Sequence, residues 1–491
     1  MVKATSPMEH RLSRRQFCLA MVTTAGLSAA ACRAGDNPAP SPSPGEASSG
    51  ATLAFPEGFH WGVATSAYQI EGAVTADGRG RSIWDTFCDR VGTIADGSSG
   101  EVACDHYNRW ESDLDLMRTL EIGSYRFSIG WPRVLPEGLG RVNRRGLDFY
   151  DRLVDGLLAR GISPLATLYH WDLPQALQDR GGWENRDSAE WFADYAEVIF
   201  SALGDRVDRW LTINEAKVIA QQGYQYGRMA PGMTDAKAAG TVIHHLNLAH
   251  GRAISRFRAS ASRGQIGPCL QLAPCYAADQ SEGAAAAVRT ADITENTLYL
   301  DPLLRRRYPD LSKIDRALAA GLESAVQEGD LTVIGAPVDF VGVNYYSPMV
   351  VDGQGQPVQS YPVTAAGWQQ IYPQGLYDAL TRIRREYNSP EVVITENGVP
   401  DDPTDSGQPT ADSARVNFLR QHLEAVHRAI AEGTAISGYH AWSLLDNFEW
   451  FAGYSQRWGL VQVDFETLQR TPKASASWYS TVARSNKLPS E

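Results

Sequence analysis

Two glutamates draw attention by their positions. Glu215 directly follows the apolar run Trp210–Asn214, and Glu396 closes Val392–Glu396. Two carboxyl groups across a cleft can divide one reaction between them. One gives a proton to a departing oxygen, and the other attacks carbon or activates water. Other polar and aromatic residues end similar runs. Gln69 follows Phe59–Thr65, Arg126 lies within Ser124–Ile129, and His170 closes Pro164–His170. Asn214 precedes Glu215, and Asn344-Tyr345-Tyr346 ends the run that starts at Val338. Trp442 ends Ile436–Trp442, with Glu449-Trp450 on the loop beyond it.

Singly, these residues say little. A lone Glu at a strand end is more often a surface charge or a helix cap, and a lone His is more often structural. Arg126, between Tyr125 and Phe127, must be buried or nearly so and needs an anionic partner. The convergence is what carries meaning. Amides, imidazole, carboxylates and indole faces are what a polyhydroxylated ring asks for, because polar groups bond its hydroxyls and aromatic faces stack on its C–H face.

The elements that must position these residues follow from periodicity. The run Gln265–Leu272 joins the seven above to give eight short apolar or β-branched segments. Between them lie stretches with helical spacing, among them Asp148–Arg160, Ser188–Leu203, Lys237–Arg258 and Ala411–Glu432. Such alternation predicts a parallel sheet covered by helices. Eight strands in one domain predict a (β/α)8 TIM barrel, whose chemistry sits at the C-terminal ends of the strands. A doubly wound open sheet is the alternative. It is disfavoured because no Gly-rich phosphate turn follows an early strand.

The 491 residues carry a formal net charge of -12, with 43% hydrophobic and 21% charged residues. No long basic run lies in the body, which argues against nucleic acid as the partner. The 13 tryptophans suit a protein that stacks sugar rings, and equally one with an aromatic core. Residues 1–32 read as an export signal. Arg14-Arg15 precede Phe17 and the small apolar run Cys18–Ala31, in the manner of twin-arginine signals. Ala29-Ala30-Ala31-Cys32 resembles a lipoprotein cleavage site, with Ala29 in place of the usual Leu. A lipid anchor through Cys32 and plain cleavage near Ala31 are both open. Residues 33–53 form a Pro/Ser/Gly-rich linker, and residues 54–485 the single domain. The expected location is periplasmic or extracellular. There a disulfide is allowed among Cys88, Cys104, Cys269 and Cys275 (Cys88 with Cys104, or Cys269 with Cys275), and no spacing resembles a zinc site.

Several blocks, in order, resemble glycoside hydrolase family 1, the β-glucosidase family. They are Phe55–Gly62, Ala64–Gly72, Tyr125–Ile129 (YRFSI), Tyr169–Pro174 (YHWDLP), Asn344–Tyr346, Ile394–Gly398 (ITENG) and Trp442–Trp450 (WSLLDNFEW). The resemblance implies a retaining β-glycosidase that removes terminal non-reducing β-D-glucosyl units through a glycosyl-enzyme, with Glu396 as nucleophile and Glu215 as acid/base. It implies that Asn214 bonds the sugar 2-OH, and that Tyr346 and Arg126 orient and ionise the nucleophile. Gln69, His170, Trp442, Glu449 and Trp450 then hold the non-reducing sugar, Trp368 resembles the Trp on the leaving-group side, and Asn344 and Trp458 complete the substrate-binding set. The substrate is a small β-glucoside or oligosaccharide, with β-galactosides or β-fucosides as secondary substrates. No metal or organic cofactor is expected.

The chain departs from the family at several points. Ala216 replaces a usual Pro after the acid/base, His440 a usual aromatic and Trp458 a usual Phe. The last two are expected to reshape the pocket wall. Glu449 stands where the subgroup acting on 6-phosphorylated sugars has a small hydroxyl residue, and its charge would repel a phosphate. Three other readings compete. A sugar-binding protein on a dead scaffold would have lost one of the two glutamates. A metal-dependent barrel hydrolase would need an early His pair that is missing. Transglycosylation would use the same residues.

Overall fold

The computed structural model describes residues 52–388, 390–402 and 410–489. The export segment, with Cys18 and Cys32, and the linker up to Ala51 lie outside the described residues.

The barrel strands are β1 His60–Ala64, β2 Ser124–Ser128, β3 Ser163–Tyr169, β4 Arg209–Asn214, β5 Gln265–Gln271, β6 Phe340–Asn344, β7 Glu391–Asn397 and β8 Ile436–Trp442. Every neighbouring pair is parallel, and the order β7-β8-β1-β2-β3-β4-β5-β6 closes on itself. The expected (β/α)8 barrel is the fold, and closure rules out the open sheet. The principal helices are α1 His106–Thr119, α2 Arg144–Ala159, α3 Ser188–Leu203, α4 Ala236–Ala259, α5 Arg316–Ala325, α6 Pro373–Glu386, α7 Ser413–Ala431 and α8 Ala474–Ser485. In α2 the buried Leu147, Tyr150, Leu153, Val154 and Leu157 recur at helical spacing and form the stripe facing the strands. At the start of α4, the Asp235 carboxylate accepts from the backbone N–H groups of Lys237 and Ala238.

Inside the barrel, Leu165, Leu211, Cys269, Phe340 and Val393 form one cluster contributed by β3 to β7. His440 fills the side opposite. Its Nε2 lies 2.9 Å from Ser124 Oγ and its Nδ1 lies 3.1 Å from Ile394 O. A Cβ on Gly62 would stand 2.2 Å from this ring, so only glycine fits there. His440 therefore plugs the barrel and does not shape the pocket wall, contrary to expectation. Burial pushes its pKa down to about 3, which keeps the imidazole neutral.

The strand ladders become irregular at their upper ends. Register shifts fall between Leu211 and Asn214 in β4, and between Ile394 and Glu396 or Asn397 in β7. Such irregularities re-aim side chains, and here they occur next to the two glutamates. The four described cysteines are free, so neither candidate disulfide forms. Cys104 Sγ faces Asp446 O at 3.1 Å, and Cys269 is packed inside the barrel. At the other end of the barrel the strand Leu53–Ala54 pairs antiparallel with Lys487–Leu488. Asn486 fastens this clasp by accepting from Trp61 Nε1 and donating to Phe55 O and Pro56 O.

Candidate active site

Glu215 leaves β4 in the left-handed region, with φ +48°, and heads a short turn, Ala216–Val218. A non-glycine residue there is strained and persists only where its surroundings fix it. The Glu215 N–H donates to Cys269 O at 2.9 Å, and its Oε1 accepts from Asn344 Nδ2 at 2.6 Å. Two aromatic residues at the same mouth share this conformation, Trp171 at φ +78° and Trp450 at φ +48°.

Glu396 is held from both sides. Arg126 Nη1 pairs with Oε1, and the Tyr346 hydroxyl donates to Oε2 at 2.6 Å. Arg126 is wholly buried. It also donates to Thr167 Oγ1 at 3.1 Å and to Asn214 Oδ1 at 2.7 Å, so one guanidinium joins β2, β3, β4 and β7. Asn214 Oδ1 accepts in addition from Asn344 Nδ2 at 3.1 Å and from Cys269 Sγ at 3.1 Å. Asn214 Nδ2 donates to His170 Nε2 at 3.0 Å. Nδ1 of that imidazole is buried with no partner among the described residues, which leaves a donor for a ligand hydroxyl.

The two carboxyl groups differ electrostatically. The pKa of Glu215 is raised, first by burial and then by the charge of Glu396, with only partial relief from the Asn344 hydrogen bond, Lys217 and Arg126. Glu215 thus holds a proton, whereas Glu396 faces a guanidinium. Glu449 is also pushed up, to about 8, by burial and then by the charge of Glu396. Burial and the nearby Arg126 charge hold His170 well below the usual range, so it is neutral.

These groups surround a cavity of about 640 Å3. Glu215, Glu396, His170, Tyr346, Trp442, Glu449, Trp450, Trp368 and Trp458 all line it. The remaining predicted residues stand behind this wall, and each bonds a residue in it. Arg126 bonds Glu396, Asn344 bonds Glu215, Asn214 bonds His170, and Gln69 Nε2 lies 3.4 Å from Glu449 Oε2. Gln69 Nε2 also donates to Asn447 Oδ1 and Phe448 O, which anchors the loop that carries Glu449. At the mouth the Trp368 and Trp458 rings lie 6.2 Å apart and 23° from parallel, with Tyr346 edge-on to both.

Some participants were not foreseen. Trp171 lines the cavity and donates to Asn214 O at 2.9 Å, and its presence in the YHWDLP block was the available signal. Cys269, weighed only as a disulfide partner, lies under Asn214 and Asn344. The Lys217–Glu295 pair, 2.9 Å apart, also borders the cavity. Nothing in the sequence pointed to Glu295, which lies in a connecting segment. Among the described residues, no group of three or more His, Cys, Asp and Glu side chains converges as a metal site would.

The model of glycosyl hydrolase family 1 matches residues 51–488. "Beta-glucosidase A" of Thermotoga maritima is 46% identical over 445 residues, covering 88% of this chain and 98% of that protein. The "1,4-beta-D-glucan glucohydrolase" of Thermotoga neapolitana is 46% identical, covering 88% and 99%. A "Bifunctional beta-D-glucosidase/beta-D-fucosidase" of Bifidobacterium breve is 44% identical, covering 87% and 98%. The solved structure of a Thermotoga maritima β-glucosidase in complex with glucoimidazole superposes with a TM-score of 0.84 at 46% identity, covering 89% of this chain and all of that one. Barrel, paired carboxyl groups and sequence agree: the chain belongs to glycosyl hydrolase family 1.

Proposed function

We propose that the chain is a retaining β-glucosidase that releases terminal, non-reducing β-D-glucosyl units by double displacement. The observation that carries this reading is the contrast between two buried glutamates in one cavity, one bonded by the Asn344 amide and one paired with the Arg126 guanidinium. In the first step Glu215 gives its proton to the glycosidic oxygen while a Glu396 oxygen attacks C1, and the leaving group departs as an alcohol. Esterification removes the charge of Glu396, so Glu215, now ionised, becomes a base of suitable strength. It takes a proton from water as that water attacks C1. The sugar leaves and Glu396 regains its negative charge.

Tyr346 and Arg126 fix which oxygens of Glu396 face the sugar. Trp442 and Trp450 offer aromatic faces to the glucosyl unit. His170 and Glu449 offer a donor and a carboxyl group to its hydroxyls, and Asn214 is assigned to the 2-OH. Trp368 and Trp458 flank the leaving group. The names of the relatives support β-1,4-linked glucose oligomers as natural substrates and β-fucosides as secondary ones. The Arg14-Arg15 signal and the Ser/Pro-rich stretch after Cys32 support an exported enzyme working outside the cytoplasm.

The test is Glu396→Gly. Hydrolysis of nitrophenyl β-glucoside should stop, and added azide should restore turnover with α-glucosyl azide as product. Without rescue, the nucleophile is another residue. For the wild type, the first anomer seen by NMR should be β, and an α product would exclude retention.

A further inference from the structure

Thr395 precedes the nucleophile in the chain and has no part in the steps above. In the ladder between β6 and β7, Ile394 pairs with Val343 and Glu396 with Asn344, so Thr395 is the extra residue of a bulge. Neighbouring residues of a regular strand point to opposite faces. The bulge lets Thr395 and Glu396 both serve the inside of the barrel. The Thr395 hydroxyl lies 2.6 Å from Asn344 Oδ1 and 3.3 Å from Cys269 Sγ, and all three side chains are wholly buried. Its carbonyl oxygen accepts from Arg126 Nη1 at 3.3 Å, which pins the bulge. A Cβ on Gly342 would stand 3.0 Å from the Thr395 methyl group. The methyl therefore packs over that glycine and keeps the hydroxyl turned to the amide.

Donors and acceptors in this cluster allow one direction only. A guanidinium only donates, so the Asn214 atom 2.7 Å from Arg126 Nη2 is oxygen. That oxygen only accepts, so the Asn344 atom 3.1 Å from it is nitrogen. The same nitrogen donates to Glu215 Oε1 at 2.6 Å. The other end of the amide, Oδ1, then faces Thr395, whose hydroxyl must donate. Cys269 is a poor substitute. A thiol is a weak donor, and its single proton faces Asn214 Oδ1, Asn344 Oδ1 and Thr395 Oγ1. At Glu215 the result is an asymmetry. The oxygen that accepts from the amide is the carbonyl oxygen of the acid, so the proton sits on Oε2.

We infer that Thr395 is a positioning residue for the acid: its hydroxyl fixes the Asn344 amide, and through it the oxygen of Glu215 that delivers the proton. The strand that carries the nucleophile thereby also aims the acid. The inference rests on the β-glucosidase reading of the catalytic cavity.

Thr395→Val keeps the shape and removes the donor, whereas Thr395→Ser keeps the donor. kcat/KM for nitrophenyl β-glucoside is followed across pH, with urea unfolding alongside. Thr395→Val should lower the plateau by up to about tenfold, the worth of one hydrogen bond. Its alkaline limb should move upward by up to about half a unit, because a loosened Asn344 N–H favours ionised Glu215 less. Glu396, Glu449, Tyr346, Arg126, Lys217 and Cys269 also face Glu215, and both variants keep them. Thr395→Ser should restore plateau and limb. In an Asn344→Ala background, Thr395→Val should change neither. A lower unfolding midpoint with an unmoved limb makes Thr395 merely structural and overturns the inference. No recovery in Thr395→Ser, or the same shift without the Asn344 amide, overturns it too. If Thr395→Val fails to fold, Thr395→Ala is judged in its place by the same outcomes. A wild type that releases no nitrophenol would instead sink the underlying β-glucosidase reading.

Discussion

Beneath the cavity, Arg126, Asn214 and Asn344 come from barrel strands and Gln69 from the short helix after one, and each is tied to a lining residue by hydrogen bonds. Around the rim, Gln221, Arg228, Met349 and Trp368 come from connecting segments. The floor residues are buried and crosslinked, whereas the rim residues are only partly buried. Chemistry that depends on tenths of an ångström belongs on the first kind of support, and recognition that varies between substrates belongs on the second.

Removing the centre of the floor should have the largest effect. Arg126→Met leaves Glu396 buried beside no cation, which should cost about 3–5 kcal/mol of stability. Turnover should fall by at least about a thousandfold, as for other groups that act as one unit. Urea unfolding and kcat report the two losses, and near-normal values for both would end the distinction between floor and rim. Next comes Glu215→Ala. With alkyl leaving groups the loss should reach about 10²–10⁴-fold, the span of general acid catalysis. With dinitrophenol, which departs without a proton, kcat for glycosylation should change far less. An equal loss on both would remove the acid role.

A rim variant should behave differently. Trp368→Ala should raise KM for aryl glucosides up to about tenfold, the value of an aromatic contact, with an unchanged unfolding midpoint. A drop in stability would place Trp368 with the floor. The smallest effect concerns pH. Glu215 works protonated, so activity should fall as pH rises through its elevated pKa. The Asn344 hydrogen bond favours the ionised form. Asn344→Ala should therefore move the alkaline limb of kcat/KM upward by up to about one unit. Trp368→Ala should leave that limb in place, and a downward shift for Asn344→Ala would reverse the sign assigned here.

The same division decides what could be read in advance. The eight strands were legible because residues buried on both faces produce unbroken apolar runs, and their polar ends stood out against them. Arg126 was legible as a cation between two aromatics that could not be left unpaired. His440 was misjudged because a buried histidine and a pocket histidine look alike in sequence; only Gly62 opposite it shows that the ring fills the barrel. Cys269 was misjudged because cysteine spacing says nothing about which carbonyl oxygens surround a thiol. A further cavity of about 720 Å3, beside the catalytic one, was invisible. Its walls come from residues 221–228, 283–295 and 349–357, which no local pattern connects.

The clasp of Leu53–Ala54 with Lys487–Leu488 lies beside Trp61, near the start of β1, whereas the catalytic cavity opens beyond the far ends of the strands. Thr52, where the described residues begin, therefore lies on the underside of the barrel. Lys487–Leu488 lies at the same underside, so a fusion at either end should spare the entrance. On a solid support, immobilisation through either end should preserve activity, whereas coupling through rim residues should block it.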